Sequence, residues 1–320
     1  MNSAMNRRAT AIGGSLLLAA GLAVSGCGSS GSTSAASACP AKTGKAVTAT
    51  SPVAATGKPA AGWTLPGADL ANTRDVASTI TQLTPHDLYD WDLQNSPVLT
   101  TANGRPVVMD GGKAGILFEL DAQTGQLLWK LPVGGHEGPA NGGLLTENAK
   151  PGSHVGLPAK FCLEPSIFGG IETQLASNGS TTFAAVNDLA LPASRTGYTA
   201  GVAADLEAVE KAAGEMVAVN QDTGAVEWDT PIPSSPYGAA TVTNDVVFTT
   251  TFHGDLFALN AGTGKILLKT PLSAGSNAPV AVDGDYVIAG AGFSLVPSQQ
   301  RMIIAYKLGA TGKLSDTVGS

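Results

Sequence analysis

Apolar and polar residues alternate in three similar stretches of this chain, and each stretch continues through a short turn into a second apolar run. The three copies cover residues 117–130, 216–229 and 256–269. Each copy reads as a strand, an Asp or Asn, a turn that closes on Thr-Gly, and another strand. Glycine supplies the positive φ that such short turns need, and the threonine side chain bonds to nearby backbone. The pattern predicts repeated β-hairpins, and a weaker fourth copy begins at Ile303 and reaches Leu314.

The spacing of the copies predicts how the hairpins are assembled. Thr-Gly pairs at residues 223, 263 and 311 recur after 40 and 48 residues, which is the period of a four-stranded propeller blade rather than of a helical solenoid. Trp129 and Trp228 end their copies on an aromatic ring that fits between neighbouring sheets, whereas the third copy has Leu268 there. We therefore predict an all-β fold, a β-propeller with about four recognisable blades, and keep hairpins of another β-sandwich as the alternative.

Two segments depart from this rhythm. The first is the long gap between the first and second copies, which indicates an insertion. The second is residues 200–214, where Val202, Leu206 and Val209 fall on one helical face. This segment predicts a short surface helix that ends at Gly214 as a C-cap.

The N-terminus predicts export and lipidation. Arg7 and Arg8 precede an apolar run over residues 11–24, which is too short to span a bilayer comfortably. The run ends Val-Ser-Gly-Cys, typical of the lipobox of a lipoprotein signal peptide, with Cys27 as the lipidated residue. We therefore expect a protein held on the outer face of the cell membrane by its lipid.

These signals divide the chain into three parts. Residues 1–26 are the predicted signal peptide. Residues 27–60 are rich in Ser, Gly, Thr and Ala and predict a disordered tether. Residues 61–320 are the predicted repeat domain.

Composition excludes several classes of function. The net charge is −7 and the chain lacks a Lys/Arg cluster outside the signal, which argues against a nucleic-acid partner. Four histidines without a Cys-x-x-Cys pair do not support a structural zinc site. Besides Cys27 the chain has Cys39 and Cys162, for which both a disulfide and two unpaired thiols agree with the sequence.

The run Thr84-Pro-His-Asp-Leu-Tyr-Asp-Trp-Asp is the most unusual in the chain. Its carboxylates, histidine and two aromatic rings cannot all belong to a core. Asp-rich turns are commonly solvated caps, and that interpretation stands beside a functional one. A lone cation, Lys113, lies in the glycine-rich bend at residues 111–115. A hairpin over residues 97–110, turning at Asn103-Gly104, would start and end at the same rim of the propeller. It would therefore bring Asp90 and Lys113 together at that rim.

A loop at residues 134–156 contains His136, Glu137 and His154. Histidines at this spacing are able to bind a metal, but loops of this composition are more often plain connections.

These motifs resemble a known family. The Thr-Gly-x-x-x-Trp copies, the segment Trp63 to Arg74 and the His-Asp-x-x-Asp-Trp-Asp run are similar to the pyrroloquinoline quinone (PQQ) alcohol and glucose dehydrogenases, quinoproteins built on eight-bladed propellers. The resemblance implies Asp90 as the catalytic base and a calcium neighbour, Lys113 as the cation beside the quinone, and Trp91 as a second cofactor contact. It implies PQQ and calcium as cofactors and an alcohol or aldose sugar as substrate.

The resemblance has one large gap. In the family, several blades separate the Thr-Arg segment from the His-Asp run and supply the remaining calcium ligands, whereas here about ten residues lie between Arg74 and Thr84. Two other functions therefore stay open. One is a non-enzymatic scaffold similar to the PQQ-repeat lipoprotein of outer-membrane assembly, and the other is a shortened, inactive remnant. Four blades cut for an eight-fold ring would leave apolar faces uncovered, so we also expect a protein partner or self-association.

Replacing the predicted lipidation residue tests the anchor. Cys27→Ser removes the thiol that receives the lipid, so we expect the variant to leave the membrane fraction or to accumulate as an uncleaved precursor. Membrane fractionation and electrophoretic mobility measure both outcomes, with Ser37→Ala as the control that keeps the lipobox. A variant that fractionates and migrates like the wild type would contradict the assignment.

Overall fold

The computed structural model describes residues 39, 53–54, 83–84, 87–137, 157–198, 202–294 and 297–311. The chain divides into two compact units, Met1–Ser37 and Ala38–Ser320, and every described residue belongs to the second. The predicted signal peptide, Cys27, the segment at residues 63–74, His86 and His154 lie outside the described residues.

Strands dominate the described residues. Their bounds are β1 (Val53–Ala54), β2 (Val98–Ala102), β3 (Arg105–Gly112), β4 (Ile116–Asp121), β5 (Leu127–Pro132), β6 (Phe161–Leu163), β7 (Ala176–Ser177), β8 (Thr181–Asp188), β9 (Leu191–Ser194), β10 (Gly197–Tyr198), β11 (Ala213–Asn220), β12 (Val226–Ile232), β13 (Thr241–Thr243), β14 (Val246–Thr250), β15 (Asp255–Asn260), β16 (Ile266–Pro271), β17 (Ala281–Asp283), β18 (Tyr286–Ala291) and β19 (Met302–Lys307). One helix, α1 (Val202–Lys211), interrupts these strands within the described part of the chain.

The strands form blades of antiparallel neighbours. Blade 1 is β2 to β5 with β1 added beside β5, blade 2 is β7, β8, β11 and β12, blade 3 is β13 to β16, and blade 4 is β17 to β19. The first strands β2, β7 and β13 lie closest to one another, as inner strands around a common axis do. This architecture confirms the predicted partial β-propeller with four blades among the described residues.

The Thr-Gly turns are built by one side chain each. Asp121 Oδ1 accepts hydrogen bonds from the backbone N–H and the hydroxyl of Thr124, at 2.9 and 3.0 Å. Asn220 accepts the same pair of bonds from Thr223. Because an Asx side chain bonds its own turn in this way, the Asp or Asn before each Thr-Gly pair fixes the hairpin locally.

Each blade is apolar on both faces, and neighbouring blades cover one another. Leu117 and Leu131 of blade 1 pack against Val217 of blade 2. On the opposite face of blade 2, Met216 packs with Phe257 of blade 3. Blades 3 and 4 meet through a further buried cluster, formed by Leu256, Ala258, Ala289, Ala291 and Ile304. The core is therefore a series of layers between sheets rather than a single centre.

Trp228 joins blade 2 to the turn of blade 3. Its indole Nε1 donates to Ala261 O at 2.8 Å. Gly264 in that turn has φ +69°, and a Cβ added there would come within 2.6 Å of the Trp228 ring. The Trp228 ring thus packs directly on Gly264, where a larger residue would clash with it. This contact confirms the predicted position of the aromatic residue between sheets. Leu268, which replaces tryptophan in the third copy, is exposed.

The predicted insertion between the first two copies forms a small sheet of β6, β9 and β10, together with α1. Leu163 and Ala193 of this sheet pack with Phe118 on the face of blade 1 that points away from blade 2. The helix prediction is confirmed, but its end is corrected. The helix stops at Lys211, and Gly214 lies inside β11, where a Cβ would meet Pro236. Close packing, not capping, requires that glycine.

Two points of the predicted tether are attached to the folded domain, one to the small sheet and one to blade 1. Cys39 and Cys162 form a disulfide with Cα atoms 5.7 Å apart. Val53 and Ala54 pair with Lys130 and Trp129 at the outer edge of blade 1. At these points the chain is bonded rather than free.

No helix among the described residues is long and apolar enough to cross a membrane.

Alanine substitutions at two turn glycines test the contact between blades. Gly264→Ala must tolerate a positive φ and also displace the Trp228 ring, so we expect a loss of ~2–4 kcal/mol in the free energy of unfolding. Gly284→Ala has φ +51° with nothing within 4 Å of the added Cβ. Gly284→Ala should therefore lower the free energy of unfolding only by the cost of the positive φ, ~1 kcal/mol.

Urea denaturation of both variants measures the difference. Trp228→Leu combined with Gly264→Ala should cost less than the sum of the two single changes, because the clash needs both groups. Equal losses for Gly264→Ala and Gly284→Ala would contradict the docking of Trp228 on this turn.

Candidate functional site

The segment at residues 87–93 lies along the far face of blade 1 and alternates between buried and exposed side chains. Tyr89 and Trp91 point into the cluster that covers blade 1, and Asp90 and Asp92 point to solvent. Asp87 holds the segment in shape, since its two carboxylate oxygens accept the backbone N–H groups of Tyr89 and Trp91 at 2.7 and 2.6 Å. The predicted capping role therefore belongs to Asp87. Asp90 and Asp92 do not cap this turn, and their carboxylates lie at the rim.

Trp91, for which the resemblance implies a cofactor contact, lies in the buried cluster on blade 1. Its side chain is 1 % exposed, its Nε1 donates to Pro165 O at 3.1 Å, and its ring centroid lies 5.8 Å from that of Tyr89. In the present structure the ring thus packs on the cover of blade 1, and a contact with a cofactor stays a prediction of the resemblance.

Lys113 lies in the hairpin between β3 and β4, at the end of blade 1 where residues 92–95 enter β2. Its backbone N–H donates to Asp92 O at 3.1 Å. The two chain segments approach so closely that a Cβ on Gly112 would overlap the Asp92 carbonyl oxygen. Asn95 adds a brace, because its Nδ2 donates to Gly111 O and to Ile171 O. The turn at Asn103-Gly104 thus returns the chain to the rim, as the sequence predicts.

The site that results is an ion-pair network. Lys113 Nζ lies 2.9 Å from Asp90 Oδ2 and 2.9 Å from Asp92 Oδ2. The two aspartates are 49 % and 54 % exposed, whereas the lysine is 13 % exposed. Burial alone lowers the pKa of Lys113, but the two carboxylate bonds outweigh this and raise the pKa. Asp90 has φ +60°, a left-handed conformation that turns its carboxylate toward the ammonium.

Glu172 completes the network, and the sequence analysis missed it. Gln94 Nε2 donates to its Oε2 at 2.9 Å, while Oε1 has no hydrogen-bond partner among the described residues. Burial raises its pKa to about 8, with Asp90 and Asp92 adding to the rise and Lys113 opposing it. The raised pKa favours the protonated form of Glu172, next to the negative charge of Asp90 and Asp92. Because its partners lie far away in the sequence, no local pattern marks it.

His136 does not behave as a metal ligand. Its Nδ1 lies 3.1 Å from Gly134 O and its Nε2 lies 3.1 Å from Ala114 O. Burial lowers its pKa. With both ring nitrogens facing backbone carbonyl oxygens, it has no lone pair directed at an ion, and it fastens the loop after β5 to the Lys113 hairpin.

Comparison with known proteins identifies the repeats. Residues 176–290 and 212–313 match the PQQ_2 family model, described as outer membrane protein assembly factor BamB. Residues 176–313 are therefore similar to PQQ repeats, within a partial β-propeller. No curated protein sequence matches this propeller chain.

Solved structures share the propeller fold. A quinohemoprotein alcohol dehydrogenase from Pseudomonas putida HK5 aligns with a TM-score of 0.59 and 20 % identity, over 75 % of this chain and 42 % of its own. A quinohemoprotein alcohol dehydrogenase from Comamonas testosteroni aligns with a TM-score of 0.55 and 18 % identity, over 74 % and 41 %. The PQQ-repeat propeller spans 41–42 % of the length of these dehydrogenases, and the likeness is one of fold.

The residues around Lys113 fit poorly with PQQ and calcium, the cofactors that the resemblance implies. PQQ is a planar quinone with several carboxylate groups, and here two aspartates already surround the single ammonium. Calcium takes six to eight oxygen ligands, yet the described residues contain no group of three His, Cys, Asp or Glu that could hold a metal ion. In this structure Asp90 and Lys113 belong to an ion-pair network with Asp92, and their roles beside calcium and PQQ stay predictions of the resemblance.

The pKa of Glu172 gives a test of the network by pH. Because the pKa is raised from 4.5 to about 8, the folded protein binds a proton that the unfolded chain releases between these values. Stability should therefore fall as pH rises from about 5 to about 8 and level off above this range. Glu172→Gln removes this term and should be more stable than the wild type at pH 8 by ~1–2 kcal/mol, a value reduced by partial solvent exposure.

Urea midpoints between pH 5 and 9 measure the effect as the difference between variant and wild type, since Asp110 and Glu119 also have raised pKa values, about 6 and about 7. Glu207→Gln on the exposed face of α1 is the control and should leave the slope of stability with pH unchanged. A difference between Glu172→Gln and wild type that stays constant across this range would contradict the raised pKa.

Proposed function

We propose that the protein is a non-enzymatic PQQ-repeat scaffold that binds a protein partner outside the cytoplasm. One observation carries the proposal. The cation at the rim, Lys113, is bonded to both Asp90 and Asp92, at 2.9 Å each, so it is not available to an anionic quinone. The position that resembles the catalytic centre of a dehydrogenase is thus a closed ion-pair network.

The electrostatics of this rim favour a basic partner. Asp90 and Asp92 are about half exposed and face one partly buried ammonium, and the whole chain has a net charge of −7. Exposed negative charge speeds association with a positively charged partner and disfavours an acidic one. A partner segment rich in Lys and Arg therefore suits the rim better than an acidic cofactor does.

Three observations support a location outside the cytoplasm. The lipobox at Cys27 predicts export. The Cys39–Cys162 disulfide is typical of an oxidising compartment. The family model that matches residues 176–313 is named for an outer-membrane assembly factor. Together they favour a scaffold at the cell envelope.

A second candidate function is oxidation of an alcohol or aldose sugar with PQQ and calcium. The proximity of Asp90 and Lys113 at the rim favours it, because the resemblance to quinoprotein dehydrogenases assigns these two residues to one site. The ion pair with Asp92 and the buried Trp91 argue against it.

Cofactor binding separates the two candidates. We expect no saturable heat on titrating the full chain with PQQ and Ca²⁺, because carboxylates outnumber the ammonium at the rim. We also expect no dye-linked oxidation of alcohols or aldoses. Asp92→Asn, which frees one bond of Lys113, is the matched variant and should likewise fail to bind. Saturable binding with turnover by the wild type would replace the scaffold by the dehydrogenase.

Partner binding is tested in cells by a photo-reactive residue placed at Asp92. The scaffold predicts a discrete adduct between this chain and a protein of different mass. The same residue at Gln123, which lies in the turn at the opposite end of β4, should give none. The absence of an adduct at Asp92, or equal adducts at both positions, would contradict binding at the rim.

A further inference from the structure

Within the part of the chain that the structure describes, nothing covers one face of blade 4. Along β18 and β19 the side chains alternate, so that Ala289 and Ile304 are buried against blade 3 while Ile288 and Ile303 point away. We define the outer face of blade 4 by Asp283, Tyr286, Ile288, Ile303, Ala305 and Lys307, which lie opposite one another in register. Its centre is apolar, Ile303 is 83 % exposed, and Tyr286 is 42 % exposed.

The other blades show how unusual this face is in the described part of the chain. The corresponding face of blade 3, with Leu256 and Ala258, is buried by blade 4. The far face of blade 1 is covered by Tyr89 and Trp91. On the outer face of blade 4, by contrast, a Cβ added to Gly290 would have no atom within 4 Å. Exposed apolar patches on a sheet commonly mark interaction sites.

Charge identifies the kind of partner. The pairing register puts Asp283 of β17 opposite Tyr286 of β18, and Tyr286 opposite Lys307 of β19. One edge of the face is therefore acidic, the other is basic, and an aromatic ring lies between them. Lys307 Nζ is 5.5 Å from the centroid of the Tyr286 ring. A surface with opposite charges on its two edges is complementary to a second copy of itself.

We propose that the outer face of blade 4 is the interface of a homodimer. A two-fold axis along β18, parallel to the strands, exchanges the two edges of the face. It brings Asp283 against the partner's Lys307 and Lys307 against the partner's Asp283, so each charged pair forms twice. The same rotation stacks Tyr286 and Ile288 on their own copies and removes the apolar centre from water. This dimer is independent of the proposed scaffold function, because the rim at Lys113 lies on blade 1.

The size of the face sets the strength of the dimer. Two strands have six residues and β17 has three. With strands ~4.8 Å apart and a rise of ~3.3 Å per residue, the face is ~14 Å wide and at most ~20 Å long. An interface of this size is at the small end for specific complexes, below ~1,200 Å² of total buried surface. The dimer should therefore be reversible, with a Kd in the micromolar range.

A charge exchange tests the geometry. Sedimentation velocity of the full chain in mild detergent, from about 1 to 100 μM, should show the wild type passing from monomer to dimer. Asp283→Lys and Lys307→Asp each put like charges together and should weaken the dimer by at least tenfold. The double variant Asp283→Lys/Lys307→Asp restores opposite charges across the axis and should recover the wild-type Kd. Failure of the double variant to recover would overturn this two-fold arrangement.

An apolar position gives the matched control. Ile303→Glu should abolish dimerisation without changing the fold, because the side chain is exposed in the single copy. Leu99→Glu, in blade 1 at 60 % exposure, should leave the Kd unchanged. Circular dichroism confirms that both variants are folded. A wild type that stays monomeric at 100 μM, an Ile303→Glu variant that still dimerises, or equal losses in both variants would overturn the proposal.

Discussion

A sheet that is apolar on both faces must have both faces covered, and this constraint accounts for most of the structure. Blades 2 and 3 satisfy it by lying between neighbours. Blade 1 has a neighbour on one side only, and the chain covers its other side with Tyr89, Trp91 and the small sheet. Because side chains alternate along that covering segment, burying the two aromatic rings turns Asp90 and Asp92 outward. The rim network is thus a geometric consequence of closing blade 1.

The ion-pair network of Lys113 stabilises the junction between blade 1 and the segment that covers it. Lys113 and its two aspartates join the covering segment to the first hairpin of blade 1, and Asn95 adds neutral hydrogen bonds to the same two segments. Partly buried ion pairs gain more than fully exposed ones because solvent screens them less. A role in fixing the cover of blade 1 explains the residues here without a bound cofactor. The same set of residue types in a longer propeller can serve chemistry, so fold and motif alone do not decide function.

Local signals explain which parts of the structure the sequence predicts. The Asp or Asn before each Thr-Gly pair bonds within its own turn, so the hairpins are encoded in a few neighbouring residues. The meeting of Asp90 and Lys113 follows from one hairpin and is also predictable. Glu172 is not, because it is placed by contacts with segments around residues 94 and 112 that are distant in the chain. The burial of Trp91 is not predictable either, because a core tryptophan and a stacking tryptophan have the same local sequence. Gly214 was misassigned because close packing and helix capping both select glycine.

The disulfide at Cys39 also acts on the unfolded chain. Cys39 and Cys162 are 123 residues apart in the sequence, and Cys162 lies in the small sheet that covers blade 1. A cross-link over a loop of this length removes conformational entropy from the unfolded state, worth ~5 kcal/mol in the chain-entropy model. Reduction of this one bond would thus lower the stability of the domain without removing any contact between its blades.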